Sequence, residues 1–228
     1  MTTLLIATRN AHKVGEIQAI LGADFRCLTL KEFPDAPPVI EDADTFAGNA
    51  TKKAVELAKW LAEDKSGKRK AESGNYFVLA DDSGLEVDVL NGAPGVHSAR
   101  FAALERSADG SSASPHENSK DTDNNAKLLR LLKNVPPEKL TARFRCVIAL
   151  VEINRQSAIG NRQLFDGTCE GRIQLTASGG GGFGYDPLFV PEGFKQSFAE
   201  LGEDVKNKIS HRAQALEKLK SYFISRKG

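Results

Sequence analysis

Asp81-Asp82-Ser83-Gly84 puts two adjacent carboxylates directly after an apolar run, Tyr76 to Ala80. Hard carboxylate oxygens can hold Mg²⁺, which takes one or two of them, fills its shell with water and phosphate oxygens, and orients a water. The same four residues also have the composition of an Asp-Ser-Gly turn. Thr8-Arg9-Asn10-Ala11-His12-Lys13 stands between a short apolar run and a helical periodicity. Free N–H groups at a helix start attract anions, and Arg9 and Lys13 add charge; the alternative is plain capping with surface cations. It is not a Walker loop, because G-x-x-x-x-G-K-[ST] is absent.

Three further clusters have similar potential. Glu41 and Asp42 precede a helical pattern that carries Lys52 and Lys53, as dipole-matching acids or as ligands. Ser178 to Pro187 (SGGGGFGYDP) combines backbone that allows close approach to a ligand with the stacking faces of Phe183 and Tyr185. Lys206 and Ser210-His211-Arg212 offer cationic donors; Arg and His can read a purine carbonyl, and Lys can meet phosphate. Each cluster alone also reads as a turn, a flexible hairpin or a solvated helix face. Together they suggest a Mg²⁺-dependent protein that binds a nucleoside triphosphate, with hydrolysis of it left open.

The elements that must position these residues are legible in the hydrophobic pattern. Thr3 to Thr8 reads as a strand, and Val14, Ile17 and Leu21 predict a helix from Ala11, the opening of an α/β unit. A second strand is expected at Arg26 to Leu30 and a turn-rich connector at Pro34 to Pro38. Thr45 to Ala62 predicts a helix with Thr45 as its N-cap. Tyr76 to Ala80 predicts a strand that ends at the paired acids, and Leu85, Val87 and Val89 alternate as a further strand. Glu63 to Asn75, with Lys68-Arg69-Lys70, reads as a solvated loop, and Ala102 to Asn118 as a mobile surface loop. A helix is predicted over Thr122 to Lys133, a central strand over Thr141 to Ile153, one or two strands over Gln163 to Leu175, and one last helix over Val205 to Phe223.

Composition excludes several classes. The 228 residues carry 31 Lys plus Arg against 30 Asp plus Glu, a net charge of +1, which argues against a general nucleic-acid binder. No apolar run approaches the roughly 18 residues of a membrane span. Met1 to Ala7 lacks the basic start of a secretory signal. Cys27, Cys146 and Cys169 are widely spaced, form no zinc pattern with the histidines, and read as plain strand or core cysteines of a reducing cytoplasm.

In order along the chain stand ATRNAHK, TFAGNA, LADDSGLEVDVLNGAPGVHSARF, ARFRCVIAL, GGFGYDPLF and VKNKISHRAQAL. This series resembles the inosine triphosphate pyrophosphatase family, also called dITP/XTP pyrophosphatases, over the whole chain. The resemblance implies an α/β fold in which residues 1–228 form one domain: an elongated mixed β-sheet flanked by helices, with two lobes around a central nucleotide cleft. It implies hydrolysis of ITP, dITP and XTP to monophosphate and pyrophosphate, with Mg²⁺, by a cytoplasmic homodimer that binds neither nucleic acid nor membrane, and so keeps deaminated purines out of DNA and RNA. Asp82 matches the essential acid, as proton acceptor and metal ligand beside Asp81, and Glu41 a second metal-ligating acid. Thr8, Arg9, Asn10, Ala11, His12 and Lys13 match a phosphate loop, Lys53 a phosphate-facing lysine, and Ser83 a substrate contact. Phe183, Gly184, Tyr185 and Asp186 match a nucleotide-holding loop in which Phe183 stacks on the base. Lys206, His211 and Arg212 match substrate-binding positions, the last two near the purine 6-carbonyl. Arg9 replaces a commoner glycine, so the phosphate loop carries an extra charge. Gly48 stands where many members have Glu, and the glycine run and the segment from Ser107 to Ser119 are longer than usual. Two other readings fit the same motifs: a related pyrophosphatase with another nucleotide preference, and a catalytically silent nucleotide-binding protein.

Overall fold

Leu4, Leu5 and Ile6 are wholly buried, because their strand, β1 (Thr2–Ile6), has a neighbour on either side. It pairs in parallel with β2 (Phe25–Thr29), Leu4 opposite Cys27, and in parallel with β3 (Tyr76–Val87), Leu4 opposite Phe77. β4 (Thr141–Ile153), β5 (Arg162–Ile173) and β6 (Phe189–Pro191) complete one sheet in the order β2-β1-β3-β4-β5-β6. β5 and β6 are antiparallel, so the sheet is mixed. The structure, a computed structural model, describes residues 1–63, 76–108, 118–153 and 161–226.

The chain divides into two units. The first holds residues 1–82, 146–166 and 214–228. Its core packs Ile17 and Leu21 of α1 (Ala11–Leu21) and Leu216, Leu219 and Phe223 of α6 (His211–Ser225) against Leu4, Phe77, Ile148 and Leu150. α2 (Phe46–Ala62) also belongs to this unit; Thr45 caps it by accepting the Gly48 N–H at 3.0 Å. The second unit holds residues 83–145 and 167–213. Its core gathers Phe101 of α3 (Phe101–Ala108), Leu128 and Leu132 of α4 (Asp121–Leu132), and Phe198 of α5 (Phe198–Ile209) around Leu85, Phe144 and Phe189.

Three expectations are corrected. β3 does not stop at the paired acids; Asp81 to Gly84 lie inside a 12-residue strand, because long-range partners outweigh the local turn preference. The segment from Ala102 is helical as far as Ala108, with Ala103 buried; residues 109–117 and the basic run at 68–70 lie outside the described residues. The last helix is two, α5 and α6, separated by Ser210, whose extended backbone (φ −67°, ψ 162°) breaks the first and whose hydroxyl accepts the Ala213 N–H at 3.2 Å to start the second. Cys146 and Cys169 are buried outside any disulfide; the Cys146 thiol donates to Asp81 Oδ2 at 3.0 Å and the Cys169 thiol to the Glu170 carbonyl at 3.9 Å.

Candidate functional site

Successive strand residues face opposite sides of a sheet, and this separates the two acids of β3. Asp81, with its side chain wholly buried, meets the Lys13 ammonium at 2.6 Å. It also accepts the Cys146 thiol at 3.0 Å. Asp82 is received by α2. Asn49 Nδ2 donates to its Oδ2 at 3.1 Å, and the Lys53 ammonium stands 3.7 Å from its Oδ1. Asn49 and Lys53, four residues apart, share one helix face. Lys53 also donates to the Asp81 carbonyl at 2.8 Å and to Glu41 at 3.0 Å, so Asp82 and Glu41 are gathered around one cation. Burial, the largest influence, pushes the Asp82 carboxyl up to about 6; Lys53 and Lys13 oppose the rise, while Glu41 and Asp81 add to it. Sequence alone leaves Asp82 an ordinary aspartate, about 3.9 and a weak base. A carboxylate raised in this way is better matched to accepting a proton near neutral pH than an ordinary aspartate is.

The donor set suits a hard divalent cation. Glu41 and Asp82 are two carboxylates near one point, the number Mg²⁺ commonly takes from protein. Among the described residues no group of three or more His, Cys, Asp or Glu is placed to hold a metal ion.

The loop before α1 is open to solvent. Asn10 caps the helix through the His12 and Lys13 N–H groups at 3.0 and 3.2 Å, and Thr8 Oγ1 accepts the Asn10 N–H at 3.2 Å. Ala11 and His12 are exposed. Arg9 donates to the Ala36 carbonyl at 2.7 Å, which ties the loop to the connector.

In the second unit, Ser83 accepts a hydrogen bond from the buried Arg212 guanidinium at 2.8 Å. His211 is buried and stacks on Phe144, ring centres 4.8 Å apart and planes 13° from parallel. The glycine-rich loop closes on Asp186, which accepts the Phe183 N–H at 2.8 Å and the Lys206 ammonium at 2.5 Å. Gly182 is required here: its φ is +74°, and a Cβ would lie 2.2 Å from Asp186 Oδ2. Lys206 also stands 4.4 Å from the centre of the Phe183 ring.

In the first unit the fold brings Lys13, Glu41, Lys53, Asp81 and Asp82 together; in the second it brings Ser83 to Arg212, and Phe183 and Asp186 to Lys206. Sequence reading missed Asn49 and Cys146. For Asn49 the available signal was its i, i+4 spacing to Lys53 on an apolar helix face; nothing local marks Cys146.

A buried carboxylate among ammonium groups, on a mixed α/β sheet, defines a class of protein built for the chemistry of phosphate anions. Residues 4–222 match the Ham1 family, and the chain belongs to it. It is 46% identical to a dITP/XTP pyrophosphatase of Desulforamulus reducens over 94% of this chain and 92% of that one. It is 45% identical to a dITP/XTP pyrophosphatase of Geobacter sulfurreducens over 98% and 97% of the two chains. The structure of the Staphylococcus aureus Ham1 protein superposes with a TM-score of 0.75 at 32% identity, covering 98% of this chain and 99% of that one.

Proposed function

We propose that this protein is a nucleoside-triphosphate pyrophosphohydrolase that converts ITP, dITP and XTP to the monophosphate and pyrophosphate, keeping deaminated purines out of DNA and RNA. The observation that carries the reading is Asp82: a desolvated carboxylate, raised to about 6, with lysines beside it. In the first unit it orients a water for in-line attack on the α-phosphorus and accepts the proton that the water loses. The bond to the bridging oxygen breaks, and that oxygen leaves with pyrophosphate. Asn49 fixes the carboxylate's orientation, and Lys13 and Lys53 supply positive field to the polyphosphate. Glu41 and Asp82 would hold Mg²⁺, which neutralises phosphate charge when bound.

Purine selection is assigned to the second unit. Hypoxanthine and xanthine present a 6-carbonyl acceptor where adenine presents a 6-amino donor, and His211 and Arg212 supply donors. A homodimer and a cytoplasmic location complete the proposal. The second draws on three cysteines that stand outside any disulfide.

The test is pyrophosphate release from ITP, XTP, dITP, GTP and ATP, with Mg²⁺ and with EDTA, followed by chromatography of the product. Metal-dependent conversion of ITP and XTP to monophosphate is expected. Binding of ITP without turnover would make the protein a silent binder.

A further inference from the structure

Gly184 is held by both edges of its backbone, and both contacts come from α4. Its N–H donates to Asp121 Oδ2 at 2.6 Å, and its carbonyl accepts from Asn125 Nδ2 at 3.0 Å. Asp121 and Asn125 are four residues apart, one turn of helix, so they project from one face as a two-pronged clamp. Gly184 needs holding because its φ is +62°, a left-handed conformation; a Cβ there would meet nothing within 4 Å, so backbone shape, not space, calls for glycine.

The clamp bears directly on Phe183. The N–H of Phe183 goes to Asp186, and the next peptide N–H, which belongs to Gly184, goes to Asp121. The backbone is therefore fixed on both sides of the Phe183 Cα. Beneath it the Tyr185 hydroxyl donates to the Ser98 carbonyl at 2.9 Å, which anchors the far side of the loop. Asn125 Oδ1 is buried and has no hydrogen-bond partner among the described residues. What Asn125 contributes is its amide donor, which goes to the Gly184 carbonyl.

We propose that Asp121 and Asn125 are positioning residues that set the strength of purine binding by fixing the Phe183 loop, and that they leave the cleavage step untouched. The inference rests on the assignment of Phe183 to the nucleotide-holding loop. The hydrogen bonds of Asp121 and Asn125 described above run to Gly184, within the second unit.

The experiment compares the full-length wild type with Asp121→Ala, Asp121→Asn and Asn125→Ala. It measures ITP hydrolysis with Mg²⁺ and ITP binding in EDTA. Loss of one such hydrogen bond, one of them charge-assisted, is expected to raise KM and Kd roughly tenfold in Asp121→Ala and Asn125→Ala, with kcat within about twofold. Asp121→Asn should recover most of the affinity, because its amide oxygen still accepts the Gly184 N–H. Folded variants with unchanged KM and Kd would overturn the clamp, as would a fall in kcat alone or an Asp121→Asn as defective as Asp121→Ala. If Asp121→Ala does not fold, Asp121→Asn and Asn125→Ala still decide. A wild type that neither binds nor hydrolyses ITP would remove the underlying reading, and this inference with it; wild-type turnover with unaffected variants removes the clamp alone.

Discussion

Asp82 carries its charge where burial disfavours it, which suits the role of proton acceptor proposed for it. Its carboxyl rises from 3.8 to about 6, so between those values the folded chain holds more protons on this group than the unfolded chain does. Stability from this group therefore falls as pH rises through that window and stays lost above it. Asp82→Asn removes both the charge and the base. Turnover of ITP is expected to drop more than about 100-fold, the range of a positioned proton acceptor. In EDTA the variant should melt a few degrees above the wild type at about pH 7.5, an advantage that shrinks as pH is lowered towards about 4. Calorimetry across this range checks it. A melting difference that does not change with pH would mean that Asp82 is not destabilised by its charge, and near-normal turnover would remove it from the mechanism. Asp81, one residue away, is occupied by the Lys13 ammonium and the Cys146 thiol on the other face of the strand, which suits it to hold Lys13 in place.

The elements differ in how openly the sequence declares them. α1, α2 with its Thr45 cap and β4 from Thr141 to Ile153 follow from apolar spacing and capping chemistry alone. β3 does not, because Asp-Asp-Ser-Gly reads as a turn until its partners, Lys13, Asn49, Lys53 and Arg212, are seen to come from other segments. Of the candidate site, the acids and lysines were visible as residue types; the residues that orient them, Asn49 and Cys146, were not, since only packing brings them near. The break between α5 and α6 was concealed by an apolar spacing that runs on through Ser210, although Ser is a good N-cap. That cap supports the turn carrying His211 and Arg212. Ser210→Ala, which removes a buried hydroxyl accepting the Ala213 N–H, is expected to cost about 1 kcal/mol. Urea unfolding should show a lower midpoint with an unchanged slope. An unchanged midpoint would mean that the helix start is held by packing alone.

Among the described residues, one hydrophobic core belongs to the unit that carries the acids and lysines and another to the unit that carries Phe183, Lys206, His211 and Arg212, and the function proposed above gives the two units different work, phosphate cleavage and purine selection. This division predicts that rate and base preference respond to different substitutions. Arg212 is wholly buried and donates to Ser83, a costly position for a guanidinium unless its planar fork of donors is needed. Lysine in its place keeps the charge and loses the fork. A site that reads a carbonyl through hydrogen bonds can discriminate by about 10⁴, because the wrong base leaves buried donors unmet. Arg212→Lys should therefore narrow the ITP-to-ATP ratio of kcat/KM by at least about tenfold. Asp82→Asn, assayed by binding in EDTA, should retain the wild-type preference for ITP over ATP while turning over neither. Kinetics on both nucleotides, with Kd values for the inactive variant, separate the two effects. An unchanged ratio in Arg212→Lys would hand base selection to backbone groups, and a lost preference in Asp82→Asn would mean that the phosphate-binding residues also choose the purine.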